Sequence, residues 1–190
     1  MKIFLTLFVL LFSSSLVAED VSDFEIGEMS IGDSLLNYFS KYEIENALNY
    51  DDYPSDMKFR IIELESKDEL YDVFQFYYIP DDKKFIIQSL NGRKDYNNIN
   101  DCYKKKNEIV EILSVTFKNS EIIDQDKTTH FDDSSGKSTY TGTYFLFDKG
   151  GRASVTCYDW DINTNFPKNI GISIQSESVS DWVDRNYGLN

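Results

Sequence analysis

The chain contains two cysteines, Cys102 and Cys157, and their positions constrain the fold more than any other feature. Cys102 lies on the apolar stripe of a segment with helical periodicity, whereas Cys157 lies in a segment that alternates like a strand. If Cys157 shares the inward side of Val155, a disulfide would hold the helix against a sheet. Two alternatives remain: the cysteines are buried free thiols, or Tyr158 and Trp160 are the inward set of that strand.

The first residues predict export. Lys2 precedes an apolar run from Ile3 to Phe12, and small residues follow as far as Ala18. This run is shorter than the roughly 20 residues that span a bilayer, so we expect a signal peptide over residues 1–18 rather than a stable membrane anchor. The mature chain, residues 19–190, is then periplasmic or secreted, where cysteines are usually oxidised.

The strong acidity of the chain excludes two classes of partner. Its formal net charge is −14, whereas binding to nucleic acid or to anionic lipid requires clustered lysine and arginine. The basic cluster Lys104–Lys106 is short, and we expect it on the solvated face of a helix. The length of the mature chain is typical of a single domain.

Periodicity in the first half predicts two short helices followed by strands. Ser34 to Phe39 reads as one helix, and a second begins at Ser40, which forms a capping box with Glu43, and continues through Leu48. Lys58–Glu65 alternates like a strand, and the pair of segments Val73–Ile79 and Phe85–Leu90 predicts an antiparallel hairpin. The acidic segment Asp20–Ser30 is expected to be a tail or a short edge segment.

The second half repeats this pattern. Asn97–Phe117 is the most regular helical segment, with Asn98 as its cap. Two strands, Thr139–Phe147 and Arg152–Trp160, form a predicted hairpin, Ile170–Gln175 adds a strand, and Ser180 is expected to cap a last helix. The polar stretch 118–138 is predicted to be a long loop.

This order of elements predicts an α+β fold, an antiparallel sheet with helices packed on one face. Two tandem units of a helix and three strands, over residues 31–95 and 97–183, would account for the repetition. The order is similar to that of the BamE-like and β-lactamase-inhibitor-like exported modules, which implies a protein-binding module. The stretches 31–40, 135–138 and 157–161 resemble a group of small exported proteins of marine bacteria, and this resemblance implies no activity or site.

Three motifs are suggestive of chemistry, but each is incomplete. The lone His130 lacks the nucleophile and glycine pattern of a hydrolase, so we expect an exposed loop histidine. The stretch Ser135–Ser138 lacks the first glycine of a phosphate loop and predicts a flexible turn. Asp159, Asp161 and Asn163 are spaced like the first ligands of a calcium loop, but the glycine and the glutamate that such a loop requires are missing.

Aromatic residues are concentrated in the first predicted hairpin, where they either fill the core or form an exposed binding patch; we favour the core. Taken together, the sequence predicts the disulfide Cys102–Cys157 and no catalytic, cofactor or metal site. We therefore expect a non-enzymatic interaction or binding module of the cell envelope, whose partner is an envelope or secreted protein. A hydrolase whose carboxylates meet only in the fold is the alternative.

Overall fold

One antiparallel sheet organises the fold. The computed structural model describes residues 20–50, 58–67, 69–131 and 133–187. The strands are β1 (Leu48–Asn49), β2 (Arg60–Glu65), β3 (Val73–Tyr78), β4 (Ser89–Tyr96), β5 (Glu121–Thr129), β6 (Thr139–Leu146), β7 (Arg152–Asp159) and β8 (Lys168–Gln175). The helices are α1 (Lys41–Glu45), α2 (Ile99–Thr116) and α3 (Glu177–Tyr187). The predicted α+β class is confirmed.

Two four-stranded meanders meet in the middle of the sheet. The strand order is β1-β2-β3-β4-β8-β7-β6-β5, so that each half of the chain forms consecutive neighbours. β4 and β8 join the halves by pairing along their whole lengths, from Ser89 with Gln175 to Tyr96 with Lys168. Each half therefore has four strands, one more than the three that we expected.

The additional strand of the second half is β5, which lies within the predicted loop 118–138. It pairs along β6, with an irregularity between Gln125 and Thr128. Ile122 and Ile123 point to opposite faces and are 44% and 43% exposed. β5 is an edge strand with a single paired neighbour, and because both of its faces are exposed its sequence shows no apolar alternation. The prediction of a loop is wrong for this reason.

The hairpin of the first half is confirmed, but its second strand begins later than predicted. β4 starts at Ser89, whereas the apolar pattern indicates Phe85–Leu90. Phe85 has a positive φ of 50°, and the Ile87 N–H donates to the Asp33 carbonyl at 2.9 Å. Both side chains are buried. The apolar residues before β4 thus belong to a connection that packs into the core.

The helical region before β1 is shorter than predicted. Its first part is a 3-10 turn over Leu35–Asn37, and α1 ends before Leu48, which pairs in β1. The capping box of α1 is confirmed, since the Glu43 N–H donates to Ser40 Oγ at 3.2 Å and the Ser40 N–H donates to Glu43 Oε2 at 2.7 Å.

The acidic segment Asp20–Ser30 packs into the core, so the prediction of a tail or edge segment is wrong. Its apolar residues are all less than a tenth exposed: Val21, Phe24, Ile26 and Met29. A 3-10 turn over Val21–Asp23 and a bridge between Ile26 and Met29 orient them. Because these are two different local structures, the apolar spacing follows no single period that a sequence pattern would reveal.

The predicted helix α2 and its disulfide are confirmed. Asn98 caps the helix, and Cys102 and Leu113 are buried against the sheet. Cys102 forms a disulfide with Cys157 of β7, with 6.0 Å between the two Cα atoms. Cys157 and Val155 are both fully buried on the face that α2 covers. The bond therefore joins α2 to the centre of the second meander.

α1 and α2 pack on one face of the sheet, as predicted, whereas α3 packs on the opposite face. A small separate core lies under α3 and contains Phe59, Val179 and Trp182, with Tyr77 and Val183 against it. Arg152 of β7 is 4% exposed, and its Nη1 donates to Asp184 Oδ1 at 2.7 Å. α3 begins at Glu177, so the predicted cap Ser180 lies inside the helix.

The predicted signal peptide, residues 1–18, lies outside the described residues. Among the residues that are described, no helix has the length and the apolar character needed to cross a membrane. The disulfide is compatible with a location outside the cytoplasm.

Candidate functional site

The face of the sheet opposite α2 carries the candidate site. Alternate residues of each strand point to this face. Of the described helices only α3 packs here, at the end of the sheet marked by Tyr77 and Arg152. We call the remainder of this side the open face. Its two halves differ in chemistry, because charged side chains are concentrated on β2 to β4, whereas β5 to β8 carry mostly uncharged ones, with Glu121 at the start of the edge strand.

The second meander contributes a section of the open face without charged side chains, which we call the neutral face. Cross-strand pairs place its residues side by side on the four strands. It consists of Ile123, Gln125, Thr128, Tyr140, Gly142, Tyr144, Ser154, Thr156, Tyr158, Asn169, Gly171 and Ser173, of which Gly142, Thr156, Asn169 and Gly171 are buried between their neighbours. In a chain in which 27% of the residues are charged, this is a chemically distinct surface of hydroxyl groups, amides and aromatic rings.

Two glycines of the neutral face allow tyrosine rings to lie close to the sheet. A Cβ atom on Gly142 would stand 3.3 Å from Cε2 of Tyr144, and one on Gly171 would stand 3.5 Å from Cε2 of Tyr158. A glycine next to an aromatic residue is a recurrent arrangement in sheets, because the ring covers backbone that a side chain would otherwise cover. The two rings therefore cover the glycines, and each ring is partly exposed on the open face.

Gln125 connects two of these tyrosines. Tyr144 Oη donates to Gln125 Oε1 at 2.9 Å, and Gln125 Nε2 donates to Tyr140 Oη at 3.2 Å. Burial raises the pKa of Tyr144, and the nearby Tyr140 acts in the same direction. Tyr144 is therefore a neutral hydrogen-bonding group, and the three side chains form a network that fixes the rings in place.

Aromatic rings form a ledge where the neutral face ends. We define the aromatic ledge as His130, Phe131, Tyr140, Tyr158, Trp160 and Phe166. The Trp160 ring centroid lies 4.3 Å from that of His130, 4.9 Å from that of Phe166 and 6.1 Å from that of Tyr158. Phe131 and Phe166 are 59% and 53% exposed. Exposed aromatic groups of this kind mark binding surfaces.

Two loops hold the ledge in place, and both lie at the same end of the second meander. The Asp161 N–H in the β7–β8 loop donates to Ser138 Oγ at 3.0 Å, and the His130 N–H donates to the Ser138 carbonyl at 2.8 Å. Asp133 accepts the N–H groups of Ser135 and Ser138, each at 2.8 Å. The hydrogen bonds from Ser138 and Ser135 hold the pKa of Asp133 below its usual range.

His130 is not the exposed loop histidine that we expected. It is 8% exposed, its ring stacks on Phe131 with 4.8 Å between centroids, and rings from β6 and β7 cover it. The prediction is wrong because the residues that bury His130 come from other strands. The stretch Ser135–Ser138 does form a turn, in which Gly136 has a φ of 71°.

The residues with calcium-loop spacing do not converge. Asp159 forms ion pairs with Lys168 and with Lys127 on the α2 side of the sheet. Asp161 Oδ1 accepts the Asn163 N–H at 3.0 Å, and this bond lowers the pKa of Asp161. Within the described part of the chain, no group of three or more histidine, cysteine, aspartate or glutamate residues is placed to hold a metal ion.

Tyr158, Trp160 and Ile162 do not form the buried side of the segment that carries these residues. Tyr158 and Trp160 lie on the side opposite the fully buried Cys157 and are half-buried, and Ile162 lies beyond the end of β7 and is 94% exposed. The alternative in which Tyr158 and Trp160 form the inward set is therefore wrong. The disulfide lies on the α2 side of β7, and the rings of Tyr158 and Trp160 lie on the open face.

The charged half of the open face is centred on Arg93. Glu63 Oε1 accepts from Gln75 Nε2 at 3.3 Å and from Arg93 Nη1 at 3.4 Å. Arg93 Nε lies 3.3 Å from Asp95 Oδ1. Burial raises the pKa of Asp95, although the charge of Arg93 acts in the opposite direction. The charges of this half are therefore paired with one another.

The aromatic residues of the first hairpin belong to the core, as predicted. The buried ones are Tyr71, Phe74, Phe76, Tyr78 and Phe85. The exposed cluster of aromatic residues is instead the ledge, with Phe131 and Phe166 the most exposed, and the sequence analysis missed it. The available signal was large aromatic residues within polar loops, such as Phe131 and Phe166, where burial in a core is not expected.

The arrangement of the strands forms the open face, and no single sequence motif corresponds to it. Its neutral half and the ledge are continuous, because Tyr140 and Tyr158 belong to both. Comparison with known proteins found no matching family model, no similar curated protein and no similar solved structure.

Proposed function

We propose that this protein is a non-enzymatic binding module of the cell envelope, which acts in the periplasm or as a secreted protein after removal of the signal peptide predicted over residues 1–18. The aromatic ledge is the observation that carries the proposal. Phe166 lies against Trp160, Phe131 stacks on His130, and both are more than half exposed. Exposing such side chains to water is unfavourable, and a partner that covers them recovers the hydrophobic free energy.

The ledge and the neutral face together have the composition of a binding surface. Tyrosine and tryptophan supply large contact areas with few rotatable bonds, and such residues carry much of the free energy in known interfaces. The surrounding hydroxyl and amide groups supply hydrogen bonds. Because these side chains stand on a rigid sheet, less conformational entropy is lost when a partner binds.

The sequence predicts an envelope or secreted protein as the partner, and this stays a prediction. The net charge of −14 argues against nucleic acid. The paired charges around Arg93 do not offer a free cationic site for a phosphate group. The same argument disfavours binding to an anionic lipid surface.

Binding to isolated cell envelope tests the proposed function. We expect the purified mature protein to be retained on envelope material, and we expect Trp160→Ala to lower the apparent affinity by about tenfold, since truncation of a central aromatic anchor typically costs 1 kcal/mol or more. The matched control is Tyr42→Ala, because Tyr42 on α1 is 75% exposed and lies outside the ledge. Equal retention of the three proteins, or no retention of any, contradicts the proposal.

A hydrolase remains the alternative, and one observation favours it. Asp95 and Glu63 both contact Arg93, and burial raises the pKa of Asp95, as is required of a general acid. Assays of sugar and peptide release from envelope material distinguish the two functions. Release by the wild-type protein that is lost in Asp95→Asn would establish the hydrolase, whereas binding without release supports the binding module.

A further inference from the structure

We propose that the neutral face binds an uncharged polysaccharide of the cell envelope. This inference rests on the proposed function, because it identifies the partner of the same surface. It replaces the protein partner that the sequence predicts by a glycan. The observation behind it is the contrast between a strongly acidic chain and the neutral face, whose residues on four strands are all uncharged, with Glu121 beyond its edge.

The absence of charge on the neutral face disfavours any partner that would place charged groups against it. A charge that is buried against an uncharged surface loses hydration without gaining an ion pair. The described cross-strand pairs from Gln125 to Ser173 offer no side chain that could pair with such a charge. A partner without charges incurs no such cost.

The charge of the whole molecule restricts the glycan further. An acidic polysaccharide would approach a protein of net charge −14 against electrostatic repulsion. The cation directly beside the neutral face is Arg93, which lies opposite Gly171 and is already paired with Glu63 and Asp95. The bound polymer is therefore uncharged.

The remaining chemistry of the surface matches that of a sugar chain. A sugar ring has an apolar face of C–H groups, which packs on aromatic rings, and a rim of hydroxyl groups, which exchange hydrogen bonds with amides and hydroxyls. Tyr158 lies nearly parallel to Trp160, at 12°, and within 25° of Tyr140, with 6.1 Å between centroids in each case. Gln125 is bonded to Tyr140, and Ser154 and Ser173 lie further along the strands, beside Tyr144.

Selective destruction of envelope components tests the identity of the ligand. Envelope material is treated with protease, which removes proteins, or with sodium periodate, which cleaves the vicinal diols of sugars and is quenched before use. We expect the mature protein to be retained on protease-treated envelope and released from periodate-treated envelope. Retention that is lost with protease and survives periodate overturns the glycan inference and leaves the proposed binding function intact. If the mature protein is not retained even on untreated envelope, both the glycan inference and the proposed binding function are contradicted.

Competition tests whether the glycan is uncharged. Soluble envelope polysaccharide is separated by anion exchange into an unbound, uncharged fraction and a bound, acidic fraction. We expect only the uncharged fraction to compete for retention, with little change on addition of salt. Competition by the acidic fraction alone overturns the inference.

Two variants of one residue test whether the neutral face is the surface involved. Tyr158→Ala removes a ring and is expected to weaken retention by about fivefold to tenfold. Tyr158→Phe keeps the ring and is expected to stay within about twofold of the wild type. Circular dichroism of both variants verifies the fold. Trp160→Ala is a second variant that is expected to weaken retention, and Trp160 lies outside the strands. Unchanged retention by Tyr158→Ala and Trp160→Ala overturns the assignment to this face.

Discussion

At the residue scale, the lack of a side chain at Gly92 of β4 determines which residues pack against this part of the sheet. A Cβ atom on Gly92 would stand 2.6 Å from two ring carbons of Tyr71 and 2.9 Å from Cγ2 of Ile26. Both neighbours are buried. The tyrosine ring and the N-terminal segment therefore occupy the space that any other residue at this position would need.

We expect Gly92→Ala to lower the free energy of unfolding by about 1–3 kcal/mol, the usual cost of overpacking a core. Gly171→Ala is the matched control in the adjacent strand, because its nearest neighbour is the Asn91 side-chain amide at 2.9 Å, which can move aside. The control should change stability by less than about 1 kcal/mol. Urea unfolding of the two variants measures the difference, and equal losses would show that the tyrosine contact is not limiting.

At the scale of single elements, the capping box makes the stability of α1 dependent on pH. Hydrogen bonds from the Ser40 N–H and hydroxyl, and then from Lys67, lower the pKa of Glu43 from 4.5 to about 2. A carboxyl whose pKa is lower in the folded state than in the unfolded state stabilises the fold above the unfolded pKa. This contribution is lost as the pH falls toward the folded pKa.

Glu43→Gln is therefore expected to be less stable than the wild type at pH 7. The difference should shrink between about pH 4.5 and pH 2, where the wild-type carboxyl becomes protonated. Asn98→Ala is the control, since the amide that caps α2 does not titrate in this range and the loss of about 1 kcal/mol should persist. Urea unfolding at a series of pH values measures both variants, and a Glu43→Gln difference that is independent of pH would exclude the charge as its cause.

At the scale of the whole molecule, one covalent bond connects the helix between the two meanders to the centre of the second. The cysteines are separated by 55 residues along the chain, a span that contains most of α2 and all of β5 and β6. Closing a loop of this length in the unfolded chain removes conformational entropy, which in the chain-entropy model corresponds to about 4 kcal/mol of stability.

We expect Cys102→Ser with Cys157→Ser to lower the free energy of unfolding by about 4 kcal/mol. Added reductant should destabilise the wild type to a similar extent and leave the double variant unchanged, which serves as the control. The intact mass of the wild type should increase by two hydrogen atoms on reduction. Two thiols that react with an alkylating agent before reduction would contradict the bond.

The elements that the sequence determined by itself are those whose signals are local. α2 has a long apolar stripe and its Asn98 cap, α1 has the reciprocal box of Ser40 and Glu43, and the hairpin of β6 and β7 alternates on both sides of a glycine turn. In each case the interactions that form the element lie within a few residues. The pairing of the cysteines also followed from sequence, because only two are present.

The tertiary structure decided what depends on neighbours that are distant in sequence. β5 is a strand because β6 pairs with it, and its own residues, exposed on both faces, carry no apolar period. Asp20–Ser30 is buried because the sheet leaves space for it next to Gly92. The ledge exists because α2 and the disulfide occupy the other side of β7, so that Tyr158 and Trp160 turn to the open face and cover His130 from an adjacent loop. Burial depends on what packs from elsewhere in the fold, and a local sequence pattern contains no information on it.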